Sequence, residues 1–275
     1  MGLIAPPTYV APPAVEAHRF GLYAISSMPE PAGRWELGVE YEPLAGERAG
    51  LRASECVDDY TQDVDIRVGE ETVEGIPFVV VGSYQCGAQS RPIDEAEERA
   101  VLNLATGEER AVEFAIATGA MGNEPTFQGA DDLTPTPGTP VSLIDGFGLI
   151  EQALAESNGS IGAIHAPRRL GALADDFGVV SRQGQHLETM LGTYVAFGGG
   201  YDAANVGPDG QEPAEGNVWV YGTGRPIIRR GETFVQPDEN HFLDKSSNQV
   251  VILAQRTVLV TFDGPIVAVL VNATV

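Results

Sequence analysis

The longest helical pattern in the chain covers residues 94–118, and the rest of the fold has to be arranged around it. Apolar residues recur along it at helical spacing, Asp94 and Glu97 predict a capping-box-like start, and Gly119 follows as a stop. Glu108 interrupts the apolar stripe. At 1.5 Å per residue such a helix spans about 37 Å, so neighbouring segments must pack along its length.

The two segments that precede this helix can bury little surface of their own. Residues 1–33 are rich in proline and small residues, which excludes long helices and predicts an extended arm. Residues 34–80 combine strand-like sequence with glycine and acidic residues, and predict a long projecting hairpin. Period-two alternation at its start predicts a half-exposed strand with Trp35 and Leu37 facing inward. Because ordering such arms costs entropy, we expect neighbouring surfaces to bury them.

The chain after the long helix alternates helix and strand patterns. Residues 142–157 predict an amphipathic helix with Ser142 as its N-cap. Ile161–Ile164 predict a short strand, and Pro167 takes the first position of the next helix. Further strands are predicted at 76–86, which reads as the denser and more buried one, at 193–197, 218–222 and 225–230, and in a C-terminal sheet at 248–275 with a turn at 263–265.

The charge of the chain excludes several classes of partner. Of its 275 residues, 16 are Lys or Arg and 39 are Asp or Glu, which gives a net charge of -23 and leaves too few cations for sequence-specific binding of DNA. No run of eighteen apolar residues predicts a membrane span, and the N-terminus lacks the pattern of a signal peptide. Cys56 and Cys86 lack metal-site spacing; unpaired thiols are favoured over a disulfide, and the pairing stays open.

The strongest candidate for catalysis is His165, at the end of a predicted strand. No nucleophile elbow, phosphate-binding loop, dinucleotide fingerprint or zinc motif accompanies it, so no cofactor or metal is predicted. A hydrolase using His165 with Asp175 or Asp176 is one interpretation; a structural histidine that closes the strand and helps to cap the next helix is favoured. Arg168 and Arg169 predict pairing with carboxylates, within the chain or across a subunit boundary, over an anion site.

The order of these elements resembles that of the Hong Kong 97 type major capsid proteins of tailed phages, particularly phages of actinobacteria. Residues 92–119 resemble the spine helix of that fold, and residues 161–178 resemble the strand and proline-led helix of its axial domain. Residues 191–197 resemble the strand after the axial loop, and residues 250–271 resemble the terminal strands. The resemblance covers nearly the whole chain and implies an α+β capsid fold, which encapsulin shells share.

The resemblance also implies a division into domains. The axial loop would be 178–190, favoured over 199–217. Residues 34–80 contain no lysine, so the covalent crosslink of the fold's prototype is not expected. Too few residues precede the spine helix for an internal scaffolding segment, so any scaffold is expected to be a separate protein. The implied parts are an N-arm at 1–33, an extended E-loop at 34–80, a peripheral domain at 81–141 and 226–275 with the spine helix at 94–118, and an axial domain at 142–225.

The function implied by the resemblance is assembly into pentamers and hexamers of an icosahedral phage head around double-stranded DNA. The protein would be a non-enzymatic virion component assembled in the host bacterial cytoplasm, with separate scaffolding, portal and decoration proteins as further partners. An encapsulin-like nanocompartment shell and a minor or decoration capsid protein are the alternatives. The residues predicted to serve assembly are Trp35, Glu36, Glu40, Arg48, Arg52, Glu95, Arg99, Arg168, Arg169 and Arg182.

Overall fold

The computed structural model describes most of the chain. Arg48, Arg52 and Cys56 lie outside the described residues, as does the start of the predicted N-arm. In the described part, no helix is long and apolar enough to cross a membrane. The described residues are 16, 18–30, 33–42, 72–87, 92–158, 161–203, 205–236, 243–244 and 249–274.

The described strands form a two-stranded sheet, β1-β2, and two larger sheets, each with one long helix packed against it. The helices are α1 (Leu22–Ile25), α2 (Ile93–Thr118), α3 (Leu143–Asn158), α4 (Gly171–Asp176) and α5 (Gly199–Ala203). The strands are β1 (Val39–Tyr41), β2 (Val73–Gly75), β3 (Phe78–Gly87), β4 (Asp131–Asp132), β5 (Gly162–Pro167), β6 (Ser181–Gln183), β7 (His186–Glu188), β8 (Tyr194–Gly198), β9 (Asn217–Gly224), β10 (Ile227–Arg230), β11 (Phe234–Val235), β12 (Leu243–Asp244), β13 (Gln249–Thr261) and β14 (Val267–Asn272).

The first sheet is organised around one long strand, β13. Along one side β13 pairs antiparallel with β3, and it also pairs with β10, β11 and β12. Helix α2 packs on this sheet, and the two approach so closely at Gly82 that an added Cβ would lie 2.3 Å from the amide nitrogen of Leu104. Glycine is therefore required at this crossing, because any side chain would meet the backbone of the helix.

The second sheet has seven strands in the order β4-β14-β9-β5-β8-β7-β6. Its inner strands are buried on both faces: Ile164, Val220 and Val269 face α3, while Tyr221 and Leu270 join the core beneath α2. The α3 face is built from the four apolar side chains that the helical spacing predicts: Leu143, Phe147, Ile150 and Leu154.

The predicted boundaries of α2 and α3 are largely confirmed. Gly119 ends α2 in the left-handed conformation, with φ at 62°. Ser142 caps α3, since its hydroxyl accepts the amide of Asp145 at 3.1 Å and donates to the Asp145 carboxylate at 2.7 Å. The capping box predicted for α2 is wrong: this helix follows Pro92, and no side chain caps it.

Three predicted strands differ from the structure. Residues Trp35–Leu37 form a 3-10 turn, and Leu37 is exposed, because Gly38 at φ 109° reverses the backbone before β1 begins. The strand predicted at Ile161–Ile164 starts one residue later and continues to Pro167, which precedes a 3-10 turn at Arg168–Leu170 and is not the first residue of a helix. Strand β3 is also less buried than predicted, since alternate side chains on one face are exposed.

The C-terminal strands do not stay together. Strand β13 belongs to the five-stranded sheet, but after the turn at 263–265 strand β14 pairs antiparallel with β9 in the seven-stranded sheet. Residues 226–275, assigned as a whole to the peripheral domain, are therefore divided between the two sheets. The short turn at 263–265 therefore does not close a hairpin, because the two strands that it connects pair in different sheets.

Candidate assembly site

Residues 18–28, here called the anchor segment, lie on the core of their own subunit. Leu22 and Ile25 are fully buried. The carbonyl of Phe20 accepts the amide of Phe197 at 2.8 Å, and Ser27 bridges to β10 through the amide of Ile228 at 2.8 Å. The sequence predicted that residues 1–33 lie on neighbouring subunits. For the anchor segment this is wrong, because its apolar side chains find their pockets within the same chain.

Two carboxylates of α2 hold the anchor segment through its backbone. Glu113 accepts the amide of Leu22 at 3.1 Å and the amide of Gly200 at 2.8 Å, one at each carboxylate oxygen. Glu109 accepts the amide of Tyr23 at 2.9 Å. These amides lie at or near the start of α1 and α5, where backbone donors lack partners within a helix. The long helix therefore joins two short elements that are distant in sequence.

A third carboxylate, Glu108, lies at the centre of an ion cluster. It is 1% exposed, and it binds Arg230 in a two-pronged arrangement at 2.7 and 2.9 Å and Arg256 at 2.7 Å. The hydroxyl of Tyr23 donates to the same carboxylate at 2.9 Å, and the Arg230 guanidinium lies over the Tyr23 ring. Burial, followed by the charge of Glu108, raises the pKa of Tyr23. Strands β10 and β13, α2 and the anchor segment meet at this cluster.

The Glu113 carboxylate lies in a crevice with no room for neighbouring side chains. A Cβ on Gly198, at the end of β8, would come within 2.4 Å of its carboxyl carbon. Burial raises the pKa of Glu113 to about 7, and the amides of Gly200 and Leu22 oppose that rise. The nearby Glu109 charge raises this pKa further, and the Arg168 charge lowers it. Glu113 therefore exchanges a proton close to neutral pH, unlike an ordinary glutamate.

His165 is a structural residue in the centre of β5. Its Nε2 lies 2.8 Å from the Thr223 hydroxyl, and its Nδ1 lies 3.0 Å from the Tyr201 hydroxyl. Because the Thr223 hydroxyl donates its proton to the Gly224 carbonyl, Nε2 must donate to Thr223, and Nδ1 accepts from Tyr201. Burial lowers the pKa of His165 to about 3, so the ring stays neutral.

This geometry contradicts the hydrolase interpretation. It also contradicts the prediction that His165 helps to cap the next helix. His165 is 1% exposed and its ring nitrogens are both occupied, while Asp175 and Asp176 are exposed on α4 and contribute nothing to it. The ring packs against Phe127, with centroids 5.0 Å apart. In the part of the chain that the structure describes, no group of three or more His, Cys, Asp or Glu residues could hold a metal ion.

The three arginines predicted to serve assembly in the axial region have contacts within the chain. Arg168 donates to the Arg19 carbonyl at 3.1 Å and thus holds the anchor segment. Arg169 pairs with Asp202 at 2.9 Å on the surface. Arg182 lies over the Phe20 ring, 5.3 Å from its centroid. A role of these residues between subunits stays a prediction.

The remaining predicted assembly residues within the described part of the chain lie in two places. Trp35 is buried and lines a cavity of about 620 Å³ between β1 and the five-stranded sheet, whereas Glu36 and Glu40 are exposed beside it. Glu95 and Arg99 lie in the first turns of α2, far from the cavity in sequence. The structure therefore does not gather the predicted residues into one site.

The carboxylates at 108, 109 and 113 were missed as functional residues by the sequence reasoning. One signal was present: Glu108 falls inside the apolar stripe of a helix, where a charge needs a buried partner. Its partners Arg230 and Arg256 lie more than a hundred residues away on strands. Sequence spacing along the helix could not connect them.

The fold has counterparts among solved capsids. The chain superposes on the capsid of a native GTA particle with a TM-score of 0.58 at 12% sequence identity, over 98% of this chain and 96% of the other. For the capsid of Ralstonia phage GP4 the TM-score is 0.55 at 10% identity, with coverage of 98% and 96%. For Microbacterium phage Oxtober96 it is 0.50 at 13% identity, with coverage of 97% and 96%. Identities this low show a shared fold, here over nearly the whole length of each chain.

No protein-family model matches the sequence, and no curated protein matches it.

Proposed function

We propose that this chain, whose α+β fold is the Hong Kong 97 type capsid fold, is the major capsid protein of a tailed phage. It assembles into pentamers and hexamers of an icosahedral head that encloses double-stranded DNA. The observation that carries the proposal is the match to capsid chains over at least 96% of both partners. The role is structural and not enzymatic.

The antiparallel pairing of β1 with β2 supports an E-loop between these two strands. Val39 pairs with Gly75 and Tyr41 pairs with Val73, so the residues between these strands begin and end at the same place on the subunit. This is the base that a projecting hairpin requires. The tip of the hairpin, with Arg48 and Arg52, would reach an adjacent subunit.

The hairpin β6–β7 is the proposed axial loop. It forms the edge of the seven-stranded sheet, and the turn that follows it exposes Met190 by 93% and Leu191 by 76%. Apolar side chains this exposed are typical of surfaces that a partner covers. A ring of copies around a five- or sixfold axis would bury them, since rotational contacts of this kind close into rings.

The acidic surface fits a shell that encloses DNA without binding its sequence. A net charge of -23 repels phosphates, so packaged DNA stays free to leave. Scaffolding, portal and decoration proteins would be separate chains, and the protein would be assembled in the host cytoplasm and carried in the virion.

Size-exclusion chromatography with light scattering, followed by negative-stain electron microscopy, tests the proposal. Shells, tubes or isolated rings of five or six copies are expected. A monomer in which residues 34–80 are protected from limited proteolysis contradicts the proposal, because a projecting E-loop on an unassembled subunit would be cut. Small closed shells that retain a host enzyme favour the nanocompartment alternative. Binding only to preformed heads favours a decoration protein.

A matched pair of variants in the same assay tests the axial loop. Met190→Lys is expected to abolish rings, because it places a charge in the ring contact. Glu212→Lys, in the rival loop at 199–217, is expected to leave them intact. The reverse outcome would assign the axial loop to the rival.

A further inference from the structure

The two outer edges of the seven-stranded sheet are open to other chains. Strand β4 forms one edge and β6 forms the other, and the side chains of both strands are exposed. Among the described residues β4 pairs with β14 alone, and β6 pairs with β7 alone. Charges on such edges decide which partner can approach them, because like charges repel and unlike charges attract.

The β4 edge is acidic. Asp131 and Asp132 form the strand itself. Beside them lies a cavity of about 300 Å³, and the charged residues among those that line it are Asp132, Asp209 and Glu212, with no cation. Asp209 and Asp132 lie close enough together to act on the same hydroxyl, since burial and then these two charges raise the pKa of Tyr221. Four carboxylates therefore gather on this edge.

The β6 edge carries a charge of the opposite sign. Arg182 is the central residue of β6, and its Nε donates to the Gly184 carbonyl at 3.1 Å. Its guanidinium also lies over the Phe20 ring. In the described part of the chain Arg182 forms no ion pair with a carboxylate. Its contacts therefore hold the guanidinium in place without neutralising it.

Two further arginines extend this basic surface from β6 to the anchor segment. Arg19 lines the same cavity of about 680 Å³ as Arg182, and its side chain is 67% exposed. Arg168 lies beside them, because it donates to the Arg19 carbonyl at 3.1 Å. Glu16, 3.8 Å from Arg19, and Glu109 offset part of this charge. Three arginines still face two carboxylates here, in a chain with 39 acidic and 16 basic residues.

We propose that the β6 edge of one copy binds the β4 edge of the next copy in each ring. Unlike charges meet in this head-to-tail contact, whereas β4 against β4, or β6 against β6, would bring like charges together. A contact between two different surfaces leaves one of each kind free, so its repetition closes a ring. The inference rests on the proposed function, and it names the pair of surfaces that joins neighbours around an axis.

The charges select the partner edge, and apolar burial adds affinity. The exposed turn at Met190 follows the β6–β7 hairpin, so the apolar contact proposed above and the basic edge belong to the same end of the sheet. A single exposed ion pair contributes about 1 kcal/mol or less. Reversal of Glu212 alone is therefore tolerated, because three carboxylates remain on the β4 edge, and a test has to reverse two charges at once.

Paired charge reversals in the ring assay test the inference. The basic-edge variant combines Arg19→Glu with Arg182→Glu, and the acidic-edge variant combines Asp131→Arg with Asp209→Arg. We expect each variant alone to lose at least about tenfold in the fraction of chains found in rings, because edges of like charge then meet. Electron microscopy after size-exclusion chromatography with light scattering measures that fraction.

A matched control separates this effect from a change in net charge. Glu98→Arg combined with Glu156→Arg alters the net charge as much as the acidic-edge variant does, but on exposed positions of the two long helices. We expect this control to form rings at the wild-type yield.

An equal mixture of the two edge variants gives the sharpest outcome. The reversed β6 edge of one variant is complementary to the reversed β4 edge of the other, and their unaltered edges are complementary as well. Rings should therefore form again, with the two variants alternating around them. Alternation requires an even number of copies, so six-membered rings are expected to return without five-membered ones. Their return also shows that both variants are folded.

Three outcomes overturn the inference. They are rings at the wild-type yield from either edge variant alone, a mixture without rings while the control assembles, and five-membered rings in the mixture. Where the wild-type chain forms rings, these outcomes leave the proposed function intact. A monomeric wild type with residues 34–80 protected from proteolysis contradicts the proposed function instead.

Discussion

The two long helices bury their inner faces in different ways. Helix α3 packs an apolar face on the seven-stranded sheet, with Ile150 and Leu154 at its centre. Helix α2 buries Glu108 and Glu113 among alanines and single larger residues such as Leu104. Apolar packing is insensitive to pH and salt, whereas buried carboxylates depend on partners and on protons. We call the apolar packing around α3 the α3 core. We call the region around α2, where four segments of the chain are held by charge, the joint.

The largest effect is expected from removing the centre of that joint. Glu108→Ala leaves Arg230 and Arg256 partly buried without their carboxylate, and we expect a loss of about 3–5 kcal/mol in the free energy of unfolding. Urea unfolding of the unassembled chain measures it. Glu98→Ala, an exposed carboxylate on the same helix, should change the free energy by less than about 0.5 kcal/mol. Similar values for the two variants would show that the cluster does not hold the joint.

A smaller loss in the free energy of unfolding is expected in the α3 core. Ile150 is fully buried against β9, and Ile150→Ala should cost about 2–4 kcal/mol through lost contacts and the cavity left behind. Ile144→Ala removes the same atoms from an exposed position of α3 and should be nearly neutral. The loss at Ile150 should be the same at pH 5 and pH 8. A loss that varied with pH would contradict the contrast between the helices.

The smallest effect is a dependence on pH to which two buried groups on the α2 side contribute in opposite directions. The native pKa of Glu113 is about 7, above its ordinary 4.5, so its contribution to stability is present in acid and is lost as pH rises through 7. The native pKa of His165 is about 3, below its ordinary 6.5, so its contribution is present above 6.5 and is lost as pH falls. Between pH 5 and 6 the two slopes oppose each other, each at up to about 1.4 kcal/mol per pH unit.

Two variants separate these opposing slopes. Relative to wild type, Glu113→Gln should make stability rise more steeply with pH between 5 and 6, and His165→Gln should make it fall. Comparing each variant with wild type at every pH cancels the other titrating groups. Parallel curves for Glu113→Gln and wild type would show that Glu113 does not exchange its proton in this range.

The α3 core was largely predictable from the sequence. Leu143, Phe147, Ile150 and Leu154 follow helical spacing, and Ser142 lies where a cap is needed, so periodicity and capping chemistry were sufficient for α3. The limits of α2 followed equally well from its pattern and from Gly119. Local sequence specifies such elements because every residue involved lies within a few turns of the others.

The joint was not predictable, because it is made of long-range pairs. Nothing near Glu108 in the sequence indicates Arg256, which comes from a strand 148 residues later. The anchor segment resembles an arm in composition, yet Leu22 and Ile25 find pockets on their own subunit. Turn chemistry also overrode alternation at Leu37, which an adjacent glycine turned outward. The order of elements, and not any single motif, carried the resemblance to capsid proteins.

Strand β13 determines when the subunit can fold during its synthesis. Every other strand of its sheet pairs with it, so Phe78 cannot form its strand pairing until Val258 has been synthesised. Strand β14, which follows β13, lies between β9 and β4. Neither of the two larger sheets can close until β13 and β14 have been synthesised, and such distant pairings form slowly. We therefore expect truncated translation products to remain outside a growing shell, because they lack β13, the strand with which all the others of its sheet pair.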